Sequence, residues 1–295
     1  MLHAWITGAL LLGEVLVAQA GIDSVEVYYA TKDYGSVVRL LEQQPGVRKR
    51  EKLLLGWSHY RLGNMLQAKT AFQAGLEIAP ASIDLLNGLA FAHYRLGEAS
   101  AAEGRFREVL ARAPHRTESR RGLAFVLFTT QRFEECLPMF DTFLRERADD
   151  EEAEYYLVKA VDGLLTEWNT QEYTPAQMVA RAWKFAADGH HRTAVEIFKW
   201  VVELEPFHPS ARLGLGQLGP AFGYEDEALQ ALESLLREND ADLQALAALA
   251  RLHLNAGRTD DAERHVSRIL RADSGDPQGL ALRRELVKRK KEATP

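Results

Sequence analysis

A motif that returns after 34 residues constrains the fold of this chain more than any other feature of its sequence. Residues 55–63 and 89–97 both begin with Leu and both end in His-Tyr-Arg-Leu-Gly, and they align without a gap. At the same shift Phe72 coincides with Phe106, and Pro80 coincides with Pro114. Agreement at one fixed period is the signature of a chain built from stacked structural repeats.

The same period continues in the C-terminal half, where Gly189, Gly223 and Gly257 are evenly spaced. Each repeat has two apolar runs at helical spacing, separated by a turn that usually contains glycine. The pattern therefore predicts one helical hairpin in every repeat. Six repeats can be written: 49–82, 83–116 and 117–150, then, after an interruption, 175–208, 209–242 and 243–276.

This period, with its recurring Leu, Gly, aromatic, Ala and Pro positions, resembles the tetratricopeptide repeat family over most of the chain. The resemblance implies an all-α fold, a right-handed superhelical solenoid of antiparallel helix pairs. Some copies depart from the pattern: Gln131 stands where the other repeats have their turn glycine, and Ala148 and Asp240 replace the terminal proline. Because the hydrophobic spacing survives in these copies, they are interpreted as degenerate repeats.

Three segments lie outside the six repeats. Residues 21–48 are interpreted as a degenerate helix pair. Residues 151–174 are predicted to form a helix over 151–165 and a polar loop over 166–174, where Trp168 and Tyr173 either cover the third repeat or contact a partner. Residues 277–295 are predicted to form a capping helix with a basic tail. Its run Lys288-Arg289-Lys290-Lys291 is either solvated or docks on an anion.

The first twenty residues read as a secretory signal peptide, because an apolar stretch ends in Ala18-Gln19-Ala20 before Gly21. The alternative is a core or amphipathic helix that belongs to the fold. Cleavage predicts a periplasmic or secreted protein, whereas an uncleaved segment predicts a cytoplasmic one. No spanning membrane segment is expected in the mature chain, because the apolar stretch is short and contains Glu14.

Composition narrows the function classes. The net charge is −6, so nucleic acid is not expected as a partner, and the lone Cys136 excludes an internal disulfide or a thiolate zinc site. Residues 214–219 spell G-x-G-x-x-G, but no strand precedes them, and Gly216 falls in the repeat slot of Gly56. Motifs for nucleophilic, zinc or phosphate chemistry are not found. The chain is therefore predicted to be no enzyme and to bind neither cofactor nor metal.

Aromatic residues supply the candidate binding site. In the family that the chain resembles, the first helix of each pair lines a concave face, and here one slot of that helix carries rings where Asn is commoner. The rings either line the groove or pack between repeats. The predicted partner-binding residues are Trp57, Phe91, Phe125 and Trp183 in this slot, Tyr60, Tyr94 and Phe128 one turn on, and Arg61, Arg95 and Arg121 beside them.

These residues favour a protein-interaction scaffold that binds a peptide or partner protein on an aromatic-lined concave groove. Capture of an acidic C-terminus is not expected, because only Arg121 supplies a positive charge at the slots that such a clamp uses. The alternative is a periplasmic accessory protein that works with glycan-assembly machinery in polysaccharide or cell-envelope assembly or export, since rings also stack on sugar faces.

Overall fold

The computed structural model describes residues 25–43 and 48–292, and over those residues it contains helices and short turns but no β-strand. The predicted signal peptide, residues 1–20, lies outside the described residues. Two compact units divide the chain between Met139 and Phe140.

In the first unit, helices that follow each other in sequence pack on each other, from the helix that begins at Tyr34 to the one that ends at Thr129. A helical segment over 25–30 comes before them. The helices are α1 (Tyr34–Gln43), α2 (Lys49–Arg61), α3 (Met65–Ile78), α4 (Ile83–Arg95), α5 (Ala99–Arg112), α6 (Thr117–Thr129) and α7 (Phe133–Glu146), of which α7 ends in the second unit.

The second unit repeats this arrangement, and from the helix that begins at Pro175 onward each helix packs on its neighbours in sequence. Its helices are α8 (Glu151–Thr170), α9 (Pro175–Ala187), α10 (His191–Leu204), α11 (Pro209–Leu218), α12 (Glu225–Glu238), α13 (Leu243–Asn255), α14 (Thr259–Ala272) and α15 (Pro277–Glu292), with a 3-10 helix at Gly219–Phe222. The all-α fold of helix pairs expected from the sequence is confirmed.

Small residues let large side chains lie between two successive first helices. A Cβ atom added to Gly56 in α2 would lie 2.5 Å from the Phe72 ring, and one added to Gly88 in α4 would lie 2.4 Å from it. Phe72 is therefore locked between two repeats, with its ring fully buried. In the same way, a Cβ atom added to Gly122 in α6 would lie 2.3 Å from the Phe106 ring.

The same packing of a large side chain against a glycine explains the G-x-G-x-x-G motif. Gly214 and Gly216 lie within α11, and Cβ atoms there would lie 2.5 Å from Phe198 and 2.4 Å from Leu232. Both glycines therefore make room for the side chains of neighbouring helices, as expected from the slot that Gly216 shares with Gly56.

The helix over 151–165 is longer than the sequence analysis expected, and the predicted loop at 166–174 is wrong over residues 166–170, which are helical; only residues 171–174 form the connection. Helix α8 continues to Thr170, and Trp168 is buried. The physical reason is that Trp168 continues the apolar stripe of Leu157, Val161 and Leu164 by one more turn, while the polar residues around it face outward. Tyr173 then stacks on Trp168 with ring centroids 5.7 Å apart.

Candidate binding surfaces

The predicted slot of rings in the first unit is packed on its inner side. Trp57 and Phe91 are half-buried, and Phe125 is buried. The Trp57 ring meets the buried Phe72 ring edge to face at 5.3 Å, and Phe91 meets Phe106 in the same way at 4.9 Å. The inner edges of these rings therefore belong to the repeat core, and only their outer edges reach the surface.

The second predicted row lies beside the first. Tyr60, Tyr94 and Phe128 are half-buried. Tyr60 lies 5.4 Å from Trp57 and 6.4 Å from Phe91 between ring centroids. The structure thus brings together the rings of Trp57, Tyr60 and Phe91. Tyr94, one turn after Phe91 on α4, stacks on Phe125 with ring centroids 6.4 Å apart. We call the four rings on α2 and α4 the aromatic strip: Trp57, Tyr60, Phe91 and Tyr94.

The predicted arginines differ in their surroundings. Arg61 and Arg95 are exposed, and the Arg95 guanidinium lies 5.7 Å above the Tyr60 ring. Arg121 is half-buried, with its guanidinium 4.8 Å from the centre of the Phe125 ring. Such contacts pair a cation with the negative face of a ring. Arg61 and Arg95 are therefore the charges that a ligand on the aromatic strip would meet first.

Trp183 lies in the second unit, on α9, so it is not part of the aromatic strip. Its ring packs on Phe198 with centroids 4.8 Å apart, and its indole N–H donates to the Ser210 hydroxyl at 2.8 Å. Because one face of this half-buried ring and its polar atom are both engaged, Trp183 joins α9 to α10 and α11.

The second unit contains an open groove that the sequence analysis did not predict. Its volume is about 820 Å³, and it is lined by α11, the 3-10 helix, α12, α13 and α15. We call it the amide groove. Its floor is apolar and built from small or buried residues, among them Gly216, Ala247, Ala248, Leu252 and Leu282.

The amide groove is open because two helices of the second unit carry no aromatic ring in the slot that holds one in the first unit. Gln217 in α11 and Arg251 in α13 occupy, in their repeats, the slot that Trp57 and Phe91 occupy in theirs. Without a ring, the space over the first helices stays open. The 34-residue register contains this signal, since it places Gln217 and Arg251 in the slot that carries rings in the other repeats.

Polar side chains surround the groove, and several of them are amides. Gln217, Gln244, Asn255 and Gln278 are exposed and line it. Each amide offers two N–H donors and one carbonyl acceptor, which is the complement of a peptide backbone. The arrangement can therefore hold an extended chain by hydrogen bonds, without requiring a charged ligand.

Charges of both signs flank the amides. Arg251 is 61% exposed in its side chain and lies 4.0 Å from Glu285, so this ion pair is a weak surface contact. Arg258 also lines the groove, and Glu225 and Asp226 line its other side. The groove therefore offers no net charge of one sign.

Helix α11 is fixed beside α12 by a buried arginine. The Arg212 guanidinium is 1% exposed and donates to Glu238 at 2.9 Å, to the Ser234 hydroxyl at 2.7 Å and to the Phe207 carbonyl at 2.7 Å. A buried cation with three partners is costly to displace. Arg212 thus holds in place the helix that carries Gln217.

The remaining candidates are a reactive cysteine, a metal site and a membrane-spanning helix. Cys136 is fully buried, and this burial raises the pKa of its thiol to about 12. Among the residues described, no three His, Cys, Asp or Glu side chains are grouped as a metal ion would require. No helix in the described ranges combines the length and apolar character needed to cross a bilayer.

Family models place the chain among known repeat proteins. A model described as "Tetratricopeptide repeat" matches residues 53–116 and 87–151, and a second with the same description matches residues 225–286. These matches together cover more than half of the chain. A comparison with curated proteins returned no match.

Solved structures of repeat proteins are also similar to this chain. A tetratricopeptide repeat protein from Parabacteroides merdae is 16% identical, with 92% of this chain and 98% of that chain covered and a TM-score of 0.40. A thermophilic repeat protein from Thermus thermophilus is 21% identical, with 82% and 98% covered and a TM-score of 0.31. PilF from Pseudomonas aeruginosa is 18% identical, with 80% and 97% covered and a TM-score of 0.34.

Proposed function

The chain belongs to the tetratricopeptide repeat family, and we propose that it is a non-catalytic scaffold that holds an extended segment of a partner protein in its amide groove. Proteins of this family generally serve as scaffolds for protein partners. The observation that carries the proposal is the groove itself, which is open over about 820 Å³ where the first unit has rings. Ligand sites are concave, with an apolar lining and a few polar groups that fix orientation.

An extended peptide fits the groove better than a charged tail does. Its backbone can exchange hydrogen bonds with Gln244 and Asn255, which lie on α13 along the groove. The floor at Ala247 and Ala248 accepts small apolar side chains. Because the flanking charges are of both signs, an acidic tail gains little attraction there.

The test uses a linear peptide selected from a phage-displayed library against the folded chain. Ala281 is exposed and lines the groove, so Ala281→Trp fills the groove with an indole. We expect this variant to bind the selected peptide at least about tenfold more weakly. The matched control is Ala272→Trp, an exposed position on α14, which keeps wild-type affinity. Selection of no peptide, or equal binding by Ala281→Trp, contradicts the proposal.

The aromatic strip is the second candidate surface for the same function. It is favoured by the exposed Arg61 and Arg95 beside half-buried rings, since aromatic residues and Arg dominate binding energies at interfaces. Trp57→Ala also removes packing on Phe72, so it lowers the melting temperature whether or not a ligand binds. Arg61→Glu with Arg95→Glu leaves that packing in place. Loss of peptide affinity in this double variant, with no loss for Ala281→Trp, assigns binding to the strip.

The setting that we propose is the periplasm or the extracellular space, supported by the Ala18-Gln19-Ala20 pattern. An accessory role in polysaccharide or cell-envelope assembly or export is the alternative function, favoured by rings that can stack on sugar faces. Fractionation of the native host tests the setting. Neighbouring genes for glycan-assembly enzymes would favour the alternative role, and their absence would favour the peptide scaffold.

A further inference from the structure

Helix α15, at the end of the second unit, has two different faces. Gly279, Leu282 and Leu286 are buried, and they pack with the apolar residues of α13 and α14. The opposite face is exposed along the whole helix. The inner face therefore fixes the helix, and the outer face is left for solvent or a partner.

The basic residues of α15 divide between these two faces. Arg289 pairs with Glu285 at 2.7 Å and also donates to the Leu254 carbonyl. Lys290 pairs with Glu263 at 2.6 Å. These two cations attach the helix to its own unit, so half of the run at 288–291 has a structural role.

The remaining cations lie on the exposed face: Arg283, Arg284, Lys288 and Lys291. Lys288 has a surface contact with Glu292 at 3.8 Å, where both side chains are more than half exposed. Like charges three and four residues apart on one helix repel each other. The repulsion is relieved where an anion screens the four charges.

Apolar side chains lie between these cations. At 100° per residue, Leu280 and Val287 lie on the exposed side of the helix between Arg283 on one side and Lys291 and Arg284 on the other. Leu280 is 37% exposed and Val287 is 45% exposed. A face of this kind combines apolar contact with positive charge at its flanks.

We propose that the exposed face of α15 binds the surface of a membrane rich in anionic phospholipid. Helices that lie on such membranes combine Lys and Arg with apolar residues that enter the headgroup region, and each cation near the surface adds to the attraction. The proposal does not depend on the amide groove.

The shape of this face favours a lipid surface over an acidic protein segment. The exposed face is the outer surface of a single helix, with Leu280 and Val287 between its cations, so it offers no cleft in which an extended acidic chain could be held. The whole chain has a net charge of −6, so an anionic membrane repels most of the molecule and attracts this helix. The attraction therefore also sets the orientation of the second unit on the membrane.

The first test measures cosedimentation of the chain with vesicles. Vesicles of phosphatidylglycerol and phosphatidylcholine should bind the protein, vesicles of phosphatidylcholine alone should not, and added salt should weaken binding. Replacing Arg283, Arg284, Lys288 and Lys291 with Gln should lower the partition coefficient at least about tenfold. Gln has a helix propensity close to that of Lys and Arg, so α15 is expected to stay folded.

The matched control changes the net charge by the same amount elsewhere in the second unit. Arg147, Lys184, Arg237 and Arg271 are exposed cations outside α15, and their replacement with Gln should leave vesicle binding unchanged. An equal loss in both quadruple variants would show that general charge, and not this face, governs binding. That result overturns the proposal.

A fluorescent label locates the contact. Val287→Cys can be labelled with an environment-sensitive dye, since the native Cys136 is buried and unreactive. Anionic vesicles should shift the emission of this label to the blue and leave a label at the exposed Gln230→Cys unchanged. Soluble polyglutamate is the competing probe. If polyglutamate binds the chain and the vesicles do not, the face docks an acidic polypeptide and the membrane proposal is wrong.

Discussion

Gln131 and Gly97 occupy equivalent turns of consecutive repeats, and both have a left-handed backbone, with φ angles of 58° and 75°. The turn glycines of the other repeats share this conformation. An L-residue with a side chain is strained there, because its Cβ crowds the following carbonyl. The geometry of the hairpin turn is therefore imposed by the helix pair even where the sequence departs from the pattern.

Gln131→Gly should stabilise the first unit by about 0.5–1 kcal/mol, since relief of strain exceeds the added freedom of the unfolded chain. Gly97→Gln should destabilise it by about 1 kcal/mol. A Cβ at Gly97 would meet no atom within 4 Å, so the loss reports backbone strain alone. Urea denaturation of both variants checks the pair. Equal stability of all three proteins would show that the left-handed backbone at these turns places no strain on a residue with a side chain.

Much of the fold was predictable, because helix pairs depend on local spacing. The period gave the turn at Gly97, and the replaced glycine at Gln131 was visible without a structure. The sequence analysis ended α8 too early, because the polar residues Thr166, Glu167 and Asn169 have the composition of a loop. Trp168 belongs to the buried stripe, and a strict test of helical periodicity beyond Leu165 would have found it.

Asp141→Ala should destabilise the second unit by about 1–3 kcal/mol. The Asp141 carboxylate is buried and accepts the backbone N–H of Thr193 at 2.9 Å, in the first turn of α10. No side chain caps that helix at His190. A carboxylate there accepts a hydrogen bond from a free N–H group of the first turn, and its negative charge interacts favourably with the positive end of the helix dipole.

Asp141→Asn separates these two contributions. Its amide oxygen can still accept the hydrogen bond, so it should cost less than Asp141→Ala in chemical denaturation. Wild-type stability of Asp141→Ala would mean that this contact does not hold α10. The two residues are 52 positions apart, so no short-range pattern in the sequence pointed to their contact.

Acid should weaken the second unit through a stacked histidine pair. The rings of His253 and His265 lie parallel, 5.3 Å apart, and neither Nδ1 atom has a hydrogen-bond partner among the described residues. Burial lowers the pKa of both, that of His265 to about 4. The nearby charges act in both directions: Arg258, Arg264 and Arg268 lower these pKa values, while Asp261 and Glu233 raise them.

The direction of this pH dependence follows from the pH at which the folded and the unfolded chain bind protons. An unfolded chain takes up protons on both rings near pH 6.5, whereas the folded unit resists until lower pH. Stability contributed by the neutral pair is present above about pH 6.5 and is lost as the pH falls toward 4. His265→Gln should flatten the fall of the urea midpoint over this range. A slope equal to that of the wild type would exclude this pair as the cause.

The mature protein should begin at Gly21 when it is expressed in its native host. The expectation rests on Ala18-Gln19-Ala20, which presents small residues at the two positions that signal peptidase reads. Intact mass spectrometry of the purified protein measures the N-terminus directly. Recovery of the full-length chain from the cytosol would contradict export.

The candidate site was less predictable than the fold. Sequence spacing placed Trp57 and Phe91 in one slot, but only the structure shows their inner edges against Phe72 and Phe106. An aromatic residue that packs between repeats and one that lines a groove recur at the same spacing in a sequence. An open groove depends on which slots lack a ring, which the periodicity of the sequence reports, and on how neighbouring helices close over those slots, which it does not.

The most direct test of the account puts rings into the slots that leave the amide groove open. In Gln217→Phe with Arg251→Phe, the new rings should cover Leu232 and Val266 as Trp57 and Phe91 cover Phe72 and Phe106. The measurement is the Kd of the library-selected peptide by titration calorimetry. We expect the double variant to bind the peptide at least about tenfold more weakly than the wild type, with the melting temperature unchanged or higher. A folded double variant that binds the peptide with the wild-type Kd would contradict it.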